Sequence, residues 1–172
     1  MKRILVDVNV VLDVLLARAP HAAASTACLA AIEAGRAEGF LSAHAVTTLA
    51  YLVGRARGKD EAKKVVQDLC DLFALAPVDA AVIRRAILLP VGDFEDAVTA
   101  SAAEACGCEA ILTRDGSGFR GSPVPAIEPT LWLTLLREAG EGSPDWEIHE
   151  PSPSGASRRR AKPRRAQSVS KP

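Results

Sequence analysis

The fold is set by one short stretch near the start of the chain, Arg3-Ile4-Leu5-Val6-Asp7-Val8-Asn9. Its continuous apolar run is typical of a strand that is covered on both faces of a sheet, and the run ends at an acidic residue. From Val8 to Ala17 the apolar residues recur at helical spacing, so a helix is predicted directly after the strand. A second apolar run, Ala110-Ile111-Leu112, predicts another buried strand at residues 109–112.

Helical patterns separate the other strands that the sequence predicts. Short strands are predicted at 39–42, 75–76 and 124–127, and helices at 20–35, 44–57, 59–73, 79–89, 93–106 and 129–139. Strands that are separated by helices of ten or more residues pair in parallel through crossovers. The sequence therefore predicts an α/β domain, a three-layer α/β/α sandwich with a mainly parallel sheet.

The composition divides the chain into two regions. Apolar residues make up 48% of the 172 residues, enough for a sizeable core, and we place one folded domain at residues 1–139. Residues 140–172 are rich in Pro, Ser and Arg and are predicted to form a disordered basic tail. The net charge of zero is therefore the sum of a negative charge on the body and a positive charge on the tail.

Several classes of protein are excluded by what the sequence lacks. No apolar run reaches the roughly 18 residues of a membrane span, and Asp7 interrupts the only apolar stretch that could serve a signal peptide. We therefore expect a cytoplasmic protein that does not enter a membrane. The four cysteines and three histidines lack the spacing of a zinc site. No Gly-rich loop follows a predicted strand, which excludes a P-loop or dinucleotide-binding fold.

Acidic residues follow both buried strands. Asp7 comes directly after the first strand, Asp115 lies three residues after the second, and Asp93 and Asp96 share one face at the start of a helix. Active sites of open parallel sheets lie beyond the carboxyl ends of the strands, so these acids converge if the two strands are neighbours. Carboxylates held together repel one another unless cations offset their charge, and hard oxygen ligands suit Mg²⁺ or Mn²⁺.

Each acid also has a purely structural explanation. Asp7 can cap the helix that follows it, and Asp93 with Asp96 fits an N-cap followed by an acid in the first turn. Asp115 precedes a glycine, which is a common turn pair. Asp13 is predicted to be solvated or to make a contact on the helix surface. The functional interpretation rests on the coincidence that two of the acids follow strand ends and a third begins a helix.

Three motifs, taken in order, resemble the PIN-domain family. They are the strand that leads into Asp7 and Asn9, the helix start Asp93-Phe94-Glu95-Asp96-Ala97-Val98, and the segment Ala110-Ile111-Leu112-Thr113-Arg114-Asp115 followed by Phe119. No motif is specific alone, but their order and separations agree with the family over residues 3–138. The resemblance implies an acidic metal pocket and single-strand ribonuclease activity. It also implies a toxin of the VapC type whose pocket a cognate antitoxin protein fills.

The resemblance also implies a role for individual residues. Asp7, Asp96 and Asp115 match the metal-binding acids of the family, Asn9 and Thr113 match the polar residues that support the pocket, and Asp93 matches an additional ligand. The chemistry implied is hydrolysis of an RNA phosphodiester, in which a bound cation makes hydroxide available near neutral pH and offsets charge on the phosphate.

The chain departs from the family at one position. Many members carry a glutamate in the helix after the second strand, whereas residues 43–54 contain no acid. Thr48 lies in that neighbourhood and offers a hydroxyl without a charge, so Asp93 compensates, one metal binds, or activity is lost. His44, in the same helix, is either a proton donor at the pocket or a surface residue.

Basic and apolar surfaces predict the partners. Arg114, beside Asp115, is predicted to contact RNA phosphate, and the basic tail would add nonspecific affinity for RNA. The apolar helices at 44–57 and 59–73 suit a homodimer. Two other functions remain open: a PIN-like module that binds RNA or protein without cleaving it, and a haloacid-dehalogenase-like phosphatase. The phosphatase family shows a second Asp where this chain has Asn9.

Overall fold

A computed structural model describes residues 2–141 of the chain. Its elements in chain order are β1 (Arg3–Val6), α1 (Val8–Leu15), α2 (Ala22–Glu33), β2 (Glu38–Ser42), α3 (Ala43–Arg57), α4 (Lys59–Leu72), β3 (Ala74–Ala76), α5 (Ala80–Ile87), α6 (Phe94–Ala105), β4 (Ala110–Leu112), β5 (Ala126–Ile127) and α7 (Pro129–Glu141). Except for its first two residues, which belong to α7, the predicted basic tail lies outside the described residues.

The five strands form one parallel sheet in the order β3-β2-β1-β4-β5. The central strand β1 pairs with β2 on one side and with β4 on the other, where Val6 lies opposite Leu112. The chain builds outward from β1 in one direction and then continues on its other side at β4. The boundary between β1 and β4 is therefore a topological switch point, where open α/β sheets form a crevice beyond the carboxyl ends of the strands.

Helices cover both faces of this sheet. Ile4 and Val6 pack into a core that α1, α2, α3, α4 and α7 complete, whereas Leu5 points into a second core with α5 and α6. Because successive residues of a strand point to opposite faces, a strand between two cores must be apolar at every position. The predicted three-layer α/β/α sandwich is confirmed, with all described strands parallel.

The helix bounds follow local backbone signals. Gly58, at φ 94°, separates α3 from α4 in a conformation that favours glycine, and Asp79 caps α5 by accepting from the amides of Ala81 and Val82. The first helix stops at Leu15 rather than at Ala17, which takes φ 50°, and the second begins after Pro20, at Ala22. No helix within residues 2–141 has the length and apolarity to cross a membrane.

Candidate active site

Side chains from the ends of β1 and β4 meet at the switch point. The hydroxyl of Thr113 donates to Oδ2 of Asp7 at 2.9 Å, and the side-chain amide of Asn9 donates to the same oxygen at 3.4 Å. Asp7 is 4% exposed and Thr113 is fully buried. The two strands are neighbours, so the residues that follow them converge as the sequence predicted.

Asp7 is a buried carboxyl group without a basic partner. It occupies the N-cap position of α1, yet its side chain makes no capping hydrogen bond. Burial raises the pKa of Asp7, and the hydrogen bonds from Thr113 and Asn9 oppose that rise. No basic side chain in the described part of the chain forms an ion pair with it. Its carboxylate is therefore held in place by neutral donors while its charge stays uncompensated.

Thr113 also orients the second acid. Its hydroxyl oxygen accepts from the backbone amide of Asp115 at 3.1 Å. Oδ1 of Asp115 in turn accepts from the Ser117 hydroxyl at 2.6 Å and from the Gly118 amide at 3.1 Å, and these bonds lower the pKa of Asp115. The predicted turn is thus present, and it engages one carboxylate oxygen, Oδ1.

Gly118 lies where the carboxylates of Asp96 and Asp115 approach each other. A Cβ added to Gly118 would lie 2.6 Å from Oδ2 of Asp96 and 3.4 Å from Oδ2 of Asp115. The first distance is too short for any real Cβ, so a side chain here would displace Asp96. The two oxygens border one small space, and only glycine leaves that space open.

Among the acids of the cleft, Asp96 has the largest pKa shift. Burial raises its pKa to about 6, together with the negative charges of Asp7, Asp93, Asp115 and Glu95. These acids come from the ends of β1 and β4 and from the start of α6, so they belong to distant parts of the chain. Their mutual repulsion is the condition that a bound cation relieves.

The donor atoms suit a hard cation, although they do not form a closed cage. Asp7, Asp96 and Asp115 offer the carboxylate oxygens that Mg²⁺ and Mn²⁺ prefer. As the side chains are placed, no group of three or more His, Cys, Asp or Glu residues between 2 and 141 is arranged to hold a metal ion. The ligand roles of these acids, and the choice between the two ions, therefore stay predictions.

Asp93 acts as a helix cap in this structure. Its Oδ1 accepts from the amide of Glu95 at 2.8 Å and from the amide of Asp96 at 3.3 Å. This is the structural explanation that the sequence offered for Asp93. Its charge also contributes to the raised pKa of Asp96. The proposed role of Asp93 as an additional ligand stays a prediction.

Glu95 lies against α3, in the neighbourhood where the family's glutamate is absent. Its Oε1 accepts from the Thr48 hydroxyl at 3.3 Å and lies 3.8 Å from Nε2 of His44. Nδ1 of His44 lies 2.6 Å from the Ser42 hydroxyl, and burial lowers the pKa of His44 against the charges of Glu95 and Asp7. The contacts of Glu95 with Thr48 and His44 were not predicted from the sequence, because contacts between separate helices leave no periodic signal along the chain.

Asp13 is fully buried, so its predicted place on the helix surface is wrong. Its Oδ2 accepts from the Ser25 hydroxyl at 3.4 Å, and its Oδ1 lies 3.5 Å from Nη1 of Arg114. Arg114, predicted to contact phosphate, is thus tethered beside the cleft by a buried acid. A signal was available, since α1 is apolar on nearly every side and such a helix is buried all round.

Comparisons with known proteins agree with this fold. FitAcB from Neisseria gonorrhoeae is 23% identical, with a TM-score of 0.57 over 74% of this chain and 98% of that one. A DNA-bound VapBC from Salmonella typhimurium is 14% identical, with a TM-score of 0.58 over 75% and 99%. A toxin-antitoxin complex from Klebsiella pneumoniae is 16% identical, with a TM-score of 0.55 over 73% and 96%. A search of curated proteins finds no match. A family model described as PIN domain matches residues 3–117.

Proposed function

We propose that this chain, which belongs to the PIN-domain family, is a metal-dependent ribonuclease that hydrolyses phosphodiester bonds of RNA. The observation that carries the proposal is the Asp96 carboxyl group. Its pKa lies near 6 because it is partly buried among four other acids at the switch point of the sheet. Ionisation of these carboxyl groups is costly because they repel one another, and a bound cation would offset that cost. The cluster lies where open α/β sheets bind ligands, so it suits a cation site.

The residues of the cleft divide the proposed work among them. Asp7, Asp96 and Asp115 would hold Mg²⁺ or Mn²⁺, with Asp93 as an additional ligand; the ion, when bound, supplies hydroxide near neutral pH and offsets charge on the phosphate. Asn9 and Thr113 hold the Asp7 carboxylate by hydrogen bonds. Thr113 also fixes the backbone at Asp115.

Two residues at the rim of the cleft complete the proposed site. Arg114, held by Asp13, would contact an RNA phosphate. Thr48 holds Glu95 against α3, so that a carboxylate from α6 occupies the side of the cleft that lacks the family's glutamate. The site therefore keeps a negative charge on that side, contributed by a different helix.

We further propose that the protein is the toxin of a toxin-antitoxin pair and acts in the cytoplasm on cellular RNA. The support is its structural likeness to a toxin-antitoxin complex from Klebsiella pneumoniae and to VapBC and FitAcB structures. The partner would be an antitoxin protein that fills the acidic cleft. A homodimer through α3 and α4 stays part of the proposal.

A PIN-like module that binds RNA or protein without cleaving it is the second candidate. It is favoured by the absence of a preformed three-carboxylate group in the described residues and of an acid in residues 43–54. The match to the PIN-domain model over residues 3–117 argues against the haloacid-dehalogenase-like alternative.

Cleavage of a defined RNA with and without Mn²⁺ separates the two candidates. We expect the wild-type protein to cleave with Mn²⁺ or Mg²⁺ and to stop when the metal is chelated. Asp7→Asn should slow cleavage by roughly 100-fold or more, because it removes a buried ligand charge. Asp79→Asn, at the cap of α5, is the matched control and should cleave like the wild type. Equal cleavage by wild type and Asp7→Asn would sink the nuclease proposal, and binding without cleavage would favour the binding module.

A further inference from the structure

The aromatic side chains of residues 2–141 divide sharply by exposure. The rings of Phe40, Phe73, Phe119 and Trp132 are at most 5% exposed, whereas Tyr51 is 61% exposed and Phe94 is 54% exposed. Burial of a large ring stabilises the folded state, and every other aromatic ring of the described residues lies in the domain interior. Two rings left in solvent are available for a partner that carries flat apolar faces.

Both exposed rings belong to residues that are close in sequence to residues of the acidic cleft. Phe94 is the first residue of α6, directly before Glu95 and two residues before Asp96. Tyr51 lies on α3, one turn beyond Thr48. The hydrogen bond from Thr48 to Glu95, 3.3 Å long, joins α3 to α6 at this point. The rings therefore extend from two helices that are joined by this hydrogen bond at the edge of the cleft.

An arginine accompanies the Tyr51 ring. The guanidinium of Arg55 lies 5.9 Å from the ring centroid, and its Nη1 donates to the Tyr51 hydroxyl at 3.1 Å. No acid in the described part of the chain forms an ion pair with Arg55. Its charge is therefore free to meet an anion, while the neighbouring ring offers a face for stacking. Proteins hold single-stranded nucleic acids by means of exposed aromatic rings next to basic side chains that have no acidic partner.

We propose that Tyr51 and Phe94 are stacking platforms for unpaired bases of a single RNA strand that crosses the acidic cleft, with Arg55 pairing to a phosphate of that strand. This inference rests on the proposed function, in that RNA is the substrate, and it specifies which side chains hold the bases of that RNA. In a duplex both faces of each base are already stacked, so rings on a protein surface reach bases only in single strands, loops or ends.

A binding experiment on the full chain tests this inference apart from cleavage. A fluorescent single-stranded RNA, the same strand with abasic sites, and a duplex of equal length are titrated in the presence of EDTA. We expect the wild type to prefer the intact single strand. Tyr51→Ala and Phe94→Ala should each weaken that binding, by roughly 5- to 150-fold if one full stacking contact is lost. Neither should alter binding of the abasic strand.

Three variants serve as controls. Tyr51→Phe keeps the ring and should bind like the wild type. Leu131→Ala removes an equally exposed apolar side chain, 54% exposed, from α7 and should have no effect. Arg55→Gln should weaken the intact and the abasic strand alike and reduce the dependence of affinity on salt, because it removes one phosphate contact. The comparison of intact and abasic strands on the wild type keeps the stacking role testable if a ring variant fails to fold.

The outcomes separate this inference from the proposed function. If the alanine variants bind the intact strand as tightly as the wild type, or if the wild type binds intact and abasic strands equally, the stacking role is overturned. Cleavage that depends on Asp7 and metal would still stand in that case, and the rings would belong to a protein interface. Base-dependent binding without cleavage would support the stacking role and overturn the nuclease.

Discussion

The two ends of the central strands carry opposite chemistry. Beyond the carboxyl ends of β1 and β4, the charges of Asp7 and Asp96 have no basic partner among the described residues. At the amino ends, Arg3 donates to Glu38 at 2.9 Å and to the Cys106 carbonyl at 2.6 Å. Arg3 and Glu38 therefore compensate each other at one end of the sheet, whereas the charges of Asp7 and Asp96 are left uncompensated at the end where a cation is proposed.

The amino end also holds an apolar cavity of about 330 Å³ between β4, β5 and α7. It is lined mainly by apolar residues such as Ile4, Ile127 and Trp132, and its charged lining residues are Lys2, Arg3 and Glu109. It has no convergent set of polar groups, so its size does not make it a reaction site. Comparison of the two ends teaches that uncompensated charge, and not cavity volume, marks the candidate site of this molecule.

The largest expected effect lies at the amino end and concerns stability alone. Trp132, on α7, is 5% exposed and packs into the core. Trp132→Ala should therefore lower the free energy of unfolding by about 3–5 kcal/mol. Cleavage per folded molecule should be unchanged, because the residue lies at the opposite end from the acids. Urea unfolding followed by circular dichroism measures the loss, and Leu135→Ala, at a 42% exposed position, is the control with little effect. A slower cleavage step in the folded variant would contradict the separation of the two ends.

Removal of the Thr113 hydroxyl should affect both stability and activity at the carboxyl end. Thr113→Val leaves the Asp7 carboxylate and the Asp115 amide each without one partner, which should cost about 1–3 kcal/mol. Cleavage should fall roughly 10- to 100-fold, because the two acids lose their common support. Thr113→Ser keeps the hydroxyl and should recover most of both. Recovery of stability without recovery of cleavage would show that Thr113 does not act by orienting the acids.

The fold was predictable because each element has a local signal. The apolar run of β1 indicated a strand between two cores, and the spacing of α3 and α4 around Gly58 indicated two helices. Ends of elements were less predictable, as Ala17 shows: its positive φ ends α1 early, and nothing in the apolar spacing marks that change.

The candidate site was predictable only in part. Asp7 and Asp115 were found because they follow strand ends, and the position of Asp96 followed from the helix start. The contacts of Glu95 with Thr48 and of Asp13 with Ser25 and Arg114 depend on how separate helices pack, so no spacing along the chain encodes them.

Without metal, stability should depend on pH through Asp96. Its pKa is raised from 3.8 to about 6, so between these values the folded state holds a proton that the unfolded state has lost. The contribution of Asp96 to the free energy of unfolding should therefore be largest below about pH 4 and should fall as pH rises to 6. The loss should be about 1 kcal/mol, since solvent screens this part-exposed group.

The same titration provides a test of metal binding. Added Mn²⁺ should raise the free energy of unfolding above pH 6, because an ion that binds only the folded state stabilises it. Asp96→Asn should flatten the pH dependence between 4 and 6 and weaken the response to Mn²⁺. Thermal unfolding across this pH range, with EDTA or with Mn²⁺, measures both effects. An unchanged pH slope in Asp96→Asn would show that another group carries the titration.

The smallest effect compares two helix caps of the same kind. Asp79 and Asp93 each accept hydrogen bonds from the amides of the second and third residues of the helix, and asparagine caps as well as aspartate does. Both substitutions to asparagine remove one charge from a helix N-terminus, so that loss cancels between them. Only Asp93 repels Asp96, so without metal Asp93→Asn should be more stable than Asp79→Asn by a few tenths of a kcal/mol. The difference should vanish below pH 4, where Asp96 is protonated, and should reverse when Mn²⁺ is added if Asp93 is an additional ligand. A difference that persists at low pH would trace to the caps themselves and not to the acidic cluster.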